Sequence, residues 1–315
     1  MSELDPELAA AIEPLRDLPA WSDCTVEDAR TLEDETFGGA AVPDDDELTT
    51  ECRTIPAAGH DIWVRLYRPS SLDTPAPVLL FAHGGGFVLG TLDSADDLAR
   101  RLATATDHVV VSVDYRLAPE HPYPAGLNDV TTVAAWLLAE AADLGIDPDR
   151  LGVAGSSAGA NLAAGVARRF RDRPTSLTCQ VLFYPMLDPG LDRASHREQA
   201  TGPLLTRDDL AWFWDLYLDD DQSPNLETVT DPLIAPLAAD DFTELPPAVV
   251  VTAGNDPLRD EGRAYADHLD EAGVPVADLH YPGACHGFLS LADEVTLAAD
   301  AWEDLSAAYC AYRNE

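Results

Sequence analysis

The stretch of this sequence best suited to chemistry is Gly155-Ser156-Ser157-Ala158-Gly159. Before it, Arg150-Leu151-Gly152-Val153-Ala154 reads as the end of a short buried strand; after it, Asn161 to Arg169 is rich in helix formers. A serine on so sharp a strand-to-helix turn must take up strained backbone angles, and a glycine two residues to either side gives it room. Ser157 would then project its hydroxyl above a sheet, over the positive end of a helix macrodipole. A hydroxyl is a poor nucleophile near neutral pH without a base, a group that orients the base, and donors for the oxyanion it creates.

All three occur elsewhere in the chain. His286, in Gly283-Ala284-Cys285-His286-Gly287-Phe288, is the candidate base. Asp256, directly after the apolar strand Ala248 to Thr252, is the candidate orienting carboxylate; Asp260 competes from the same loop but lies farther from the strand end. Backbone donors come from His83-Gly84-Gly85-Gly86, after the strand Val78 to Phe81, with Gly85, Gly86 and Ala158 expected to form the oxyanion hole. Cys285 adjoins the base but reads as a small packing residue, and the other histidines read as structural. Beside His83 there is no second histidine or acidic residue at ligand spacing, so no metal is expected. Gly84-Gly85-Gly86 lacks both a following lysine and the G-x-G-x-x-G spacing, so no phosphate loop and no cofactor are expected.

These motifs, with Asp256-Pro257-Leu258-Arg259-Asp260 and the long run Asp114-Tyr115-Arg116-Leu117-Ala118-Pro119-Glu120-His121-Pro122-Tyr123-Pro124-Ala125, resemble the hormone-sensitive-lipase-like family of α/β-hydrolase esterases. The likeness spans roughly residues 50 to 290. The chain order serine, aspartate, histidine fits that fold. The sequence departs from the family in carrying Ser156 before the nucleophile, where an acidic residue or threonine is usual, and Ala160 after the motif, where glycine is common. The resemblance implies a carboxylesterase acting on short- to medium-chain carboxylic esters, with no cofactor. A deacetylase of arylamides or sugar esters would use the same groups, and a non-catalytic small-molecule receptor could share the fold. The family role of His83 is to order the glycine loop. Asp114 and Glu120 are expected to buttress that loop by pairing with Arg116. The resemblance also allows a homodimer, through the sheet edge near residues 276–281.

The elements that must position these residues follow from periodicity. Thr49 to Pro56 and Ile62 to Arg68 alternate as an antiparallel pair around Gly59-His60-Asp61. Short apolar runs at 78–81, 109–113, 151–154, 181–184, 249–251 and 276–281 are separated mostly by helical patterns near 93–106, 124–143, 157–171 and 259–273. That alternation predicts an α/β fold: a mostly parallel eight-stranded sheet with helices on both faces and ligands bound beyond the strands' carboxyl ends. Residues 49–187 and 246–315 form the expected catalytic domain. Residues 1–48 are expected, from the resemblance, to fold over the site as a cap segment; such charge-rich composition also suits a mobile solvated arm. Residues 188–245 interrupt the alternation with a helix at 207–218. They fall where the family inserts a cap, so Trp212, Phe213 and Trp214 are expected to wall a substrate pocket.

Composition narrows the setting. The chain has 315 residues and 46% hydrophobic content, enough for one large domain. Its 57 acidic residues stand against 19 basic ones, all arginine, for a formal net charge of −38. That balance argues against nucleic acid and anionic membrane surfaces as partners, since both would be repelled; a small-molecule ester as partner is what the resemblance implies. Such acidity without lysine points to a halophilic protein, since molar salt shortens the Debye length to about 3 Å and screens the self-repulsion. With five widely spaced cysteines, no C-x-x-C pair and no visible signal peptide or membrane-length apolar run, reduced thiols in a cytoplasmic protein are the expectation.

Overall fold

A computed structural model describes residues 3–39, 47–173, 177–219 and 226–313. Residues 40–46 of the expected 1–48 cap segment lie outside them. Eight strands form one sheet: β1 (Leu48–Ala57), β2 (His60–Pro69), β3 (Ala76–Ala82), β4 (Val109–Asp114), β5 (Ile146–Ser156), β6 (Gln180–Phe183), β7 (Ala248–Asn255) and β8 (Val276–Cys285). They lie in the order β1-β2-β4-β3-β5-β6-β7-β8. β2 pairs antiparallel with β1 and β4, and every other pair is parallel. The α/β fold expected from periodicity is therefore present, with the predicted hairpin at its edge.

The helices are α1 (Pro6–Ala11), α2 (Val26–Phe37), α3 (Asp96–Thr106), α4 (Ala125–Ala139), α5 (Ala141–Leu144), α6 (Ala158–Phe170), α7 (Ala194–Glu198), α8 (Arg207–Leu218), α9 (Arg259–Glu271) and α10 (Thr296–Arg313). Side chains on a strand point alternately to opposite faces, and the core divides accordingly. On β3, Val78, Leu80 and Ala82 join α4, α6 and α9 on one face, whereas Leu79 and Phe81 join α3 and α10 on the other. Both faces are covered, so the central strands are buried almost end to end rather than alternating between buried and exposed. α10 was not among the helices expected. It buries Ala298, Ala301, Trp302, Leu305 and Tyr309, and its Trp302 Nε1–H donates to the Leu289 carbonyl at 3.0 Å.

The parallel arrangement brings all the chemistry to one end of the sheet. His83 follows β3, Tyr115 follows β4, Ser157 follows β5, Asp256 follows β7 and His286 follows β8, each by one residue. Above that end, the N-terminal residues are tied down at several points. The Asp5 N–H donates to the Gly283 carbonyl at 2.9 Å, and Glu7 accepts from the Thr296 N–H at 2.8 Å. The Ser22 N–H donates to Asp209 of α8 at 2.8 Å.

Candidate active site

Ser157 sits between β5 and α6 at φ 54°, ψ −119°, a conformation that costs an L-residue of order 1–3 kcal/mol and persists only where its surroundings enforce it. The flanking glycines are what make the turn fit. A Cβ on Gly155 would stand 2.3 Å from the Gly159 carbonyl oxygen, and one on Gly159 would stand 2.1 Å from that of Ala82. The Ser157 N–H donates to the Phe183 carbonyl at 2.9 Å, while its own carbonyl accepts from Ala160, Asn161 and Met186. The backbone is thus held on both sides, leaving the hydroxyl as the free part.

That hydroxyl meets the residues expected from the sequence. Asp256 is fully buried, and its Oδ2 lies 2.8 Å from His286 Nδ1. An ionised carboxylate only accepts, so Nδ1–H donates and Nε2 is left to accept from Ser157 Oγ–H at 3.1 Å. The second oxygen, Asp256 Oδ1, accepts from the Leu258 N–H at 2.8 Å, which fixes the carboxylate plane. Tyr184 packs edge-on against the imidazole with ring centroids 4.7 Å apart. Asp260, the competing carboxylate, is turned elsewhere: it accepts from the Ser195 N–H and pairs with Arg259, both at 2.8 Å. Cys285 is buried, and that burial together with the charge on Asp256 pushes its thiol up to about 12, so it stays protonated.

The glycine turn lies against Ser157. A Cβ on Gly84 would stand 3.4 Å from Ser157 Cβ. Among the described residues neither the Gly85 nor the Gly86 N–H donates to a backbone carbonyl, and the first-turn N–H of Ala158 has no intrahelical acceptor. Beneath them His83 stacks on Tyr115 with centroids 4.3 Å apart and donates from Nδ1 to the Gly84 carbonyl at 2.8 Å. Burial holds the His83 imidazole down at about 4, so it is neutral. Tyr115 completes the support by donating from its hydroxyl to the His83 carbonyl at 2.9 Å.

The expected buttress takes a different form. Arg116 pairs with neither Asp114 nor Glu120; it forks onto buried Asp129, with two side-chain bonds of 2.8 Å, and Asp129 also meets His60 Nε2 at 2.9 Å. Glu120 pairs instead with Arg30 of α2, a residue that no motif singles out. Ser195 was also missed. Its hydroxyl donates to the Pro257 carbonyl at 2.6 Å, joining α7 to the loop that carries Asp256. No spacing rule could find either contact, because the partners lie 90 and 62 residues apart.

The three consecutive aromatic residues of α8 expected to wall a pocket separate. The Phe213 ring lies on the glycine turn, so close that a Cβ on Gly86 would stand 2.1 Å from it. Trp212 packs on Phe213 at 5.1 Å between centroids, half-buried. Trp214 is wholly buried against Phe87 and Tyr217, as a core residue. A cavity of about 470 Å³ opens between residues 15–21 and 201–206, with Trp21, Leu204 and Asn255 in its wall. Neither Ser157 nor His286 lines it; of the residues near the triad its wall holds Asn255, which precedes Asp256. Among the described residues, no group of three or more His, Cys, Asp or Glu is placed to hold a metal ion.

Chemically, the arrangement can pass the Ser157 proton to His286, hold the resulting imidazolium against Asp256 and offer amides to an oxyanion. Comparison with known proteins points the same way. A model of the alpha/beta hydrolase fold family matches residues 79–290. Carboxylesterase NlhH of Mycobacterium tuberculosis is 43% identical over 261 residues, covering 81% of this chain and 80% of that protein. Ethyl acetate hydrolase of Pseudomonas putida is 34% identical over 304 residues, covering 91% and 92%. Among solved structures, a bacterial heroin esterase superposes with a TM-score of 0.90 at 34% identity, over 98% of both chains.

Proposed function

Because this chain belongs to the alpha/beta hydrolase fold family and is a carboxylic ester hydrolase, we propose that it cleaves short- to medium-chain carboxylic esters by two-step acyl transfer through Ser157. The observation that carries the reading is the unbroken chain from Ser157 Oγ to His286 at 3.1 Å and on to Asp256 at 2.8 Å, set beside a turn with unused amides.

In the first step His286 takes the Ser157 proton as the hydroxyl oxygen attacks the ester carbonyl. The oxyanion is held by the N–H groups of Gly85, Gly86 and Ala158, and Asp256 stabilises the imidazolium without itself taking the proton. His286 then gives the proton to the departing alcohol, leaving an acyl-enzyme. Water, deprotonated by the same imidazole, attacks that ester, and the acid leaves as Ser157 regains its proton. The Phe213 ring over Gly86 limits room above the oxyanion hole, which supports short acyl groups. The charge of −38 supports work in a cytoplasm of concentrated salt.

An acyl-length series of p-nitrophenyl esters, assayed in molar KCl, tests the reading. It expects kcat/KM to be greatest for acetyl to octanoyl esters and to fall steeply beyond them. A maximum at long chains, or no turnover of any ester, would contradict it.

A further inference from the structure

We propose that Arg30 is a positioning residue for the oxyanion loop, so that the N-terminal helix α2 takes part in stabilising the transition state although it contributes no group to it. The proposal rests on the reading of Ser157 given above.

The loop needs outside support because of its backbone. Gly85, Gly86 and Phe87 lie consecutively at φ 102°, 60° and 66°. Glycine accepts such angles freely, but Phe87 does not, and a strained residue holds its place only when its neighbours over-determine it. From inside, the Gly85 carbonyl accepts from the Val88 and Leu89 N–H groups at 3.0 and 2.8 Å, and Phe87 stacks on Tyr217 with centroids 3.7 Å apart. From outside, the hold is Arg30. Its Nε–H donates to the Val88 carbonyl at 3.0 Å, one residue beyond the strained run, and Nη2–H donates to the Ala118 carbonyl at 2.9 Å. The Ala118 N–H in turn donates to the Phe87 carbonyl at 2.9 Å. One guanidinium therefore grips the oxyanion loop and the loop that braces it.

Glu120 fixes that guanidinium. Both its oxygens lie 2.7 Å from Arg30, one on each terminal nitrogen, in the bidentate geometry a planar guanidinium favours. Arg30 holds the Glu120 carboxyl down at about 2, so the clamp stays charged across the neutral range. One turn along α2, Glu33 is buried, docking the same helix against the body of the protein. A lysine at position 30 could supply the charge but not four donors in one plane.

The test uses the full chain in molar KCl. Arg30→Gln and Glu120→Gln are assayed for kcat and KM with p-nitrophenyl acetate, for inhibition by an alkyl trifluoromethyl ketone whose serine adduct carries the oxyanion, and for thermal midpoint. Displacing a catalytic donor by a fraction of its bond length costs roughly tenfold or more in rate. Arg30→Gln is therefore expected to lose roughly that factor in kcat with KM within about twofold, and to lose ketone affinity by the same factor. Glu120→Gln keeps the carbonyl bonds and should fall between it and the parent. If Arg30→Gln lowers only the thermal midpoint, with kcat and ketone affinity within about twofold of the parent, the proposal is overturned. Should that variant fail to fold, Glu120→Gln decides: parallel losses in kcat and ketone affinity support the clamp, and unchanged values refute it. A parent chain that neither hydrolyses the ester nor binds the ketone would instead remove the Ser157 reading, and this proposal with it.

Discussion

Cys285 directly precedes His286 in the chain, yet its thiol cannot share the work. A thiolate is the reactive form, and a group pushed up to about 12 by burial and by Asp256 supplies almost none of it near neutrality. Cys285→Ala should therefore keep kcat within a few-fold of the parent. Iodoacetamide at mildly alkaline pH should alkylate exposed Cys52 while leaving Cys285 untouched, as peptide mass spectrometry can show. Loss of activity on alkylation of Cys285 alone would assign the thiol a larger part. At this scale the sequence was informative wherever a residue type announced its chemistry. Ser157, Asp256 and His286 stand out because each follows a strand and sits among turn-forming residues. Arg30 carried no such mark. An arginine in an acidic helix reads as a solvated face until the fold brings Glu120 to it.

Elements decide which of those residues can meet. α8 lies over the glycine turn because its buried face, Leu210, Phe213, Trp214 and Tyr217, repeats at helical spacing, and a capping box between Thr206 and Asp209 fixes its start. Of its aromatic residues it is Phe213 that lies against Gly86. Phe213→Ala should consequently open space above Gly86 and shift the acyl-length profile toward longer chains, raising the ratio of octanoyl to acetyl turnover several-fold. An unchanged ratio would mean that the acyl group lies elsewhere. Alternation in β1 and β2, short apolar runs in β3 to β8 and helical patterning made the strands, α8 and the principal covering helices readable beforehand. Two features were not. The strand order places β4 between β2 and β3, and nothing local in the sequence of either strand encodes its neighbour. α10 escaped because alanine occupies several of its faces and blurs the stripe that Trp302, Leu305 and Tyr309 form against the core.

For the molecule as a whole, charge outweighs every other feature of composition. If every one of the 19 arginines paired with one acid, 57 − 19 = 38 carboxylates would still be left without a cationic partner. Surface ion pairs contribute little each, so the excess acts as a diffuse self-repulsion that opposes the compact state. Raising KCl from about 0.1 M to about 2 M shortens the screening length from about 10 Å to a few ångströms, and the thermal midpoint should climb by many degrees. A midpoint independent of salt would remove the halophilic reading without touching the chemistry. Among the described residues no helix is long and apolar enough to cross a membrane.

Catalysis as proposed stands on Ser157 Oγ being the atom that takes the acyl group. Treating the folded protein in molar KCl with a fluorophosphonate, then mapping the adduct by peptide mass spectrometry, tests this most directly. The expected result is one phosphonyl group per chain on Ser157, formed as esterase activity disappears and absent from Ser157→Ala. Activity that survives the reagent, or an adduct on any other residue that tracks its loss, would contradict that assignment.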